Sequence, residues 1–171
     1  MRNSLIAALA GFLLGCVSAG LTPLLPWPFS TLDLPLATVL ILSWGFRQRE
    51  AIALAAGAGL ALDAVSPFRF GTMTVLFAAA AWIIVILMTE VLTHVSPAAM
   101  LGSSVAAAVL WLLLLGGITA AYDRMAGVAS AHALPSISTI ATAGAMQAVL
   151  AVGAYALIDR FGRAWRRIFF A

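Results

Sequence analysis

The sequence predicts an all-α integral membrane protein, a six-helix bundle with both termini on the cytoplasmic side. Three observations carry this. The 171-residue chain is 64% hydrophobic and 9% charged, with a mean hydropathy of +1.10. A soluble domain carries about a quarter charged residues, so this one cannot cover its surface with polar groups. Six apolar segments approach the ~20 residues that cross a bilayer. All nine basic residues are arginines, and they gather at segment ends.

Taken in order, the segments are residues 4–25, 32–46, 51–65, 72–92, 98–121 and 137–158. The first follows Met1-Arg2-Asn3 like the start of a signal peptide. Its apolar run continues past the cleavage-like Ser18-Ala19-Gly20, so it reads as a retained span. The second and third are short and divided only by residues 47–50, which predicts a tight helical hairpin with a polar corner. The seven prolines fall at proposed helix ends, where the missing N–H and fixed φ are tolerated. The loop 122–136 is the longest. Residues 1–158 form one transmembrane domain, and residues 159–171 a basic, aromatic tail.

With the N-terminus inside, Arg2, Arg47, Arg49, Arg160, Arg163, Arg166 and Arg167 are cytoplasmic, leaving Arg69 and Arg124 outside. That bias fits an even number of spans. In the tail, Arg160, Arg163, Trp165, Arg166 and Arg167 suit an anionic inner leaflet, each arginine contributing about 1 kcal/mol. A docking site for a cytoplasmic partner is the other reading. The arginines form no stripe interleaved with aromatics, which argues against a nucleic-acid partner. The single cysteine, Cys16, excludes an intramolecular disulfide.

One stretch, residues 57–71, carries the most information. Asp63 ends an apolar segment, and a charged side chain at that depth must find protein or water. Gly59 lies one turn earlier on the same face, where it admits a close helix. A Pro/Gly-marked turn follows, with Ser66 and Gly71. Three roles stand open for Asp63: a structural carboxylate bonded to neighbouring helices or Ser66, part of an inter-protein contact, or a relay. Gly59→Leu is expected to disrupt more than Ala58→Leu, because only Gly59 shares the Asp63 face.

Ala7, Gly11, Gly15 and Ala19 repeat every four residues in the first segment. Such a ridge packs helices within the bundle or receives a partner's helix. Glu90 is expected to meet Arg47 or Arg49, and Gln147 to tie two helices together. His94 and His132 fall in loops on opposite sides. No metal-ligand spacing, nucleophile motif or phosphate loop occurs, so neither enzyme activity, a metal nor a cofactor is expected.

Gly59, Asp63 and Gly71 form the pattern Gly-x-x-x-Asp-x7-Gly at the end of a short span. Pro35 opens the preceding span, Trp44 lies near its end, and a basic corner follows at residues 47–50. In these features the chain resembles the rod shape-determining protein MreD family. The likeness in residues covers about 34–71, while length and span count extend it to the whole chain. The basic, aromatic tail departs from it. The resemblance implies a non-enzymatic scaffold in the bacterial inner membrane. It would position peptidoglycan synthesis with MreC and, through it, MreB, RodA and a class B penicillin-binding transpeptidase. It also implies the S-component-like fold. The rival reading is a substrate-binding S component of an energy-coupling-factor vitamin transporter, which docks through a first-span ridge like Ala7-Gly11-Gly15-Ala19.

Overall fold

The computed structural model describes residues 2–27, 29–31, 33–45, 47–90, 97–125 and 136–169. Every regular element among them is helical: α1 (Arg2–Leu21), α2 (Leu34–Trp44), α3 (Gln48–Asp63), α4 (Thr72–Glu90), α5 (Pro97–Met125) and α6 (Ile137–Phe169). Two short 3-10 turns, Thr22–Leu24 and Phe29–Thr31, link α1 to α2.

Four helices are long and apolar enough to cross a membrane: α1, α4, α5 and α6. Two are not. The 11 residues of α2 and 16 of α3 reach about 16 and 24 Å at 1.5 Å per residue, short of ~30 Å of hydrocarbon. Six spans were expected, the second and third short; the structure has six helices, of which four are long enough to cross a membrane and two form a short hairpin. The physical reason lies in what surrounds the hairpin. Among the described residues α2 touches all five other helices, and α3 lies between α1 and α4. A helix sheathed in protein does not need to match the bilayer's thickness.

Local chemistry fixes the hairpin's ends. Asp33 caps α2 by accepting a hydrogen bond from Leu36 N at 2.8 Å, and Pro35 sits in the first turn, where its missing N–H costs nothing. Gly45 closes α2 with its N–H on Ile41 O at 3.1 Å. Arg47 then pairs with Glu50 at 3.3 Å across the first turn of α3. The side chain of Glu90, expected to meet Arg47 or Arg49, lies outside the described residues.

The outer helices form an open arc around α2. Contacts run α1 to α3, α3 to α4, α4 to α5 and α5 to α6, but α1 and α6 do not meet among the described residues. Aromatic contacts tie the arc to its hub. Trp44 of α2 donates from Nε1 to Ser103 Oγ of α5 at 3.1 Å and meets the Tyr155 ring of α6 edge-on at 5.7 Å. The Phe77 and Trp111 rings join α4 to α5 at 4.1 Å. Away from these contacts the helices are apolar outwards: Leu5, Leu9 and Leu13 of α1, Val75 and Trp82 of α4, and Val149 of α6 are all exposed. An apolar surface on several long helices is that of a multi-pass membrane protein.

One boundary differs from the sequence reading, the end of α5. Tyr122 and Asp123 belong to α5 and not to a loop. Residues 126–135, including His132, lie outside the described residues, as do residues 91–96, including His94. Residues 159–169, read as a tail, are helical in α6, whose candidate membrane span is Ile137–Leu157.

Candidate functional site

The corner between α3 and α4 gathers Gly59, Asp63, Ser66 and Gly71 into one structure. A helix leaves its first N–H groups without intrahelical partners. The residue before α4 is Gly71, whose carbonyl accepts from Val75 N at 3.0 Å and so occupies the capping position. Glycine has no side chain to cap with. It stands there because φ is +94°, a left-handed conformation that strains other residues. The cap therefore comes from another helix. Asp63 Oδ1 accepts from Met73 N at 2.7 Å, while Oδ2 accepts from Thr74 N at 3.1 Å and from Thr74 Oγ1 at 2.6 Å.

This disposes of the charge problem that makes Asp63 conspicuous. The carboxylate is 5% exposed, yet three donors converge on it and the positive end of the α4 dipole faces it. Gly59 makes the geometry possible. A Cβ at Gly59 would overlap Thr74 Cα and lie 2.8 Å from Met73 O. Only glycine lets the start of α4 come close enough for Asp63, one turn on, to reach its N–H groups. Of the roles left open for Asp63, this geometry is that of a structural carboxylate. Its partners are Met73 and Thr74 and do not include Ser66. The Ser66 hydroxyl instead accepts from Phe68 N at 3.2 Å within the turn.

Tyr122 of α5 braces the turn from the far side. Its hydroxyl lies 3.2 Å from Thr72 Oγ1 and accepts from Arg69 N at 3.4 Å, and its ring packs on Phe68 at 5.0 Å. Held this way, the turn leaves Val65 and Phe70 exposed, at 67% and 77%. The corner thus keeps its carboxylate inside and shows apolar side chains outside.

The first-segment ridge lies against α3. A Cβ on Gly11 would overlap the Leu54 backbone, and one on Gly15 would sit 2.8 Å from both Ala58 O and the Ala61 Cβ. Ala7 and Ala19 flank them half-buried. Gly59 and Asp63 both turn toward α4, on one face of α3. Ala58 is as buried as Gly59 but faces α1, while Gly59 faces α4. Substitution at either position therefore opens a helix seam. Arg160 is exposed; the side chains of Arg163, Trp165, Arg166 and Arg167 lie outside the described residues.

Sequence reasoning missed Thr74, Gly57 and a cavity. Thr74 sits at the third helical position, where a hydroxyl beside a capping carboxylate is a readable signal. Gly57 packs on the backbone of Ala8, which has no side-chain signature. The cavity, about 320 Å³, fills the gap between α1 and α6. Asp33 and Gln147 line it, with Ser18, Thr22, Ser30 and Thr139. Gln147, 2% exposed, does tie elements together as expected: Nε2 donates to Asp33 O at 3.2 Å, and Oε1 accepts from Asp33 N at 3.4 Å.

Fold and site together define a multi-pass α-helical membrane protein with a carboxylate-capped helix corner. Comparison with family models, curated proteins and solved structures gives no match.

Proposed function

We propose that this chain is a non-enzymatic scaffold of the bacterial cell-elongation complex, resembling the MreD family. In this reading it lies in the inner membrane with both termini cytoplasmic. It helps position peptidoglycan synthesis by binding MreC and, through it, MreB, RodA and a class B penicillin-binding transpeptidase. The observation that carries the reading is that Gly59, Asp63 and Gly71, the residues of the resemblance, act on one object. They build a single braced corner, which holds Val65 and Phe70 outward as a contact surface.

The vitamin-transporter reading loses its main support, because the small-residue ridge that would dock a coupling subunit is occupied by α3. The scaffold reading is tested by complementation in a strain depleted of its own MreD. Wild-type chain restores rod growth, and Asp63→Leu inserts normally but leaves cells round. Normal rods with Asp63→Leu would remove the corner from the function.

A further inference from the structure

We infer that the cavity between α1 and α6 binds a small organic cation, an ammonium group on a compact apolar body. The arc of helices is open at this one junction among the described residues, and the turns Thr22–Leu24 and Phe29–Thr31 pack from α1 across to α6 there. The opening is a built site. Gln147 clamps the main chain of Asp33 through both its N–H and its carbonyl. Leu36 N holds the Asp33 carboxylate by Oδ1. Its other oxygen, Oδ2, has no donor among the described residues.

Charge and size then select the occupant. Asp33 is the one acidic residue lining the cavity among the described residues, and none of those lining it is basic. Burial disfavours the ionised form of such a carboxyl, and a cationic group beside it would restore that form. Hydroxyls of Ser18, Thr22, Ser30 and Thr139 can accept the remaining ammonium hydrogens. Leu36, Trp111 and Leu112 also line it, offering contacts to an apolar or aromatic body and, in Trp111, a ring of the kind that attracts cations. At about 320 Å³ the volume falls at the lower end of small-molecule sites and is far larger than a bare metal ion needs. The ammonium group could be that of a free amine or of an ethanolamine lipid headgroup, and the two are separable by experiment. The inference does not depend on the scaffold reading, since none of the residues carrying it belongs to the α3–α4 corner.

The test uses the full chain in dodecyl maltoside, titrated with phenethylammonium chloride and followed by tryptophan fluorescence and thermal unfolding. Saturable binding with a rise in Tm is expected. Asp33→Asn keeps an N-cap for α2 but removes the charge, and should weaken binding at least about tenfold, given the strength of hydrogen bonds to charged groups. Thr139→Leu narrows the cavity without touching Asp33 and should also lose binding; it decides the matter if Asp33→Asn fails to fold. If only added phosphatidylethanolamine, and not phosphatidylglycerol, raises the Tm of wild type but not of Asp33→Asn, the site takes the lipid headgroup and the inference stands. It is overturned if neither amine acts, if 2-phenylethanol or sodium chloride acts equally, or if both variants respond as wild type does.

Discussion

Asp63 shows how one buried charge organises its surroundings. Its importance was readable from the cost of a carboxylate at membrane depth. Its partners were not, because Met73 N and Thr74 N are backbone atoms that any residue supplies. Replacing Asp63 with leucine removes three hydrogen bonds and strands two N–H groups at the start of α4. Each stranded donor costs about 1–3 kcal/mol, so Asp63→Leu should lower the unfolding temperature clearly in detergent. Asp63→Asn keeps one acceptor but turns an NH2 toward a donor, and should fall between Leu and wild type. An Asp63→Leu protein as stable as wild type would mean these bonds contribute nothing. Thr74→Val, losing only the 2.6 Å hydroxyl contact, is expected to have the smallest effect of the three.

At the scale of helices, close packing here depends on absent side chains. Gly11 and Gly57 each bring α1 and α3 into backbone contact, and Gly59 does the same for α3 and α4. In lipid, where apolar side chains gain nothing by leaving the solvent, such contact is what holds helices together. Gly11→Ala, Gly57→Ala and Gly59→Ala should therefore each destabilise, although alanine is the better helix former. Gly102→Ala, which meets nothing within 4 Å, should be neutral or stabilising by up to about 1 kcal/mol from propensity alone. Thermal unfolding of the four variants checks this, and equal behaviour would contradict the seam geometry. The four-residue spacing of small residues was legible in α1. Which face α3 would turn to it was not: Ala58 faces α1, while Gly59 faces α4.

Taken whole, the molecule is a short α2 wrapped by an arc of α1, α3, α4, α5 and α6, open between α1 and α6 among the described residues. Apolar content and the arginine pattern made the membrane class and the six helices legible. The shortness of the second and third segments was legible too; that neither α2 nor α3 is long enough to cross was not, because it depends on the cap at Asp33 and the stop at Gly45, which trim α2 to Leu34–Trp44. The cavity was invisible for a similar reason: Asp33 and Gln147 are 114 residues apart, and only the fold brings them together. Gln147→Leu should loosen α6 from α2 by removing both bonds to the Asp33 backbone. Faster hydrogen exchange at the start of α2 would show it, and unchanged exchange there would count against the clamp.

The most direct measurement of the central claim is photo-cross-linking from position 70 in native membranes, followed by purification and mass spectrometry. Position 70 is chosen because Phe70 is exposed on the braced corner. The expected result is recovery of MreC and cell-wall synthases, lost when Asp63→Leu is added although the protein still inserts. Recovery of a coupling subunit with paired ATPases, or cross-links indifferent to Asp63→Leu, would contradict it.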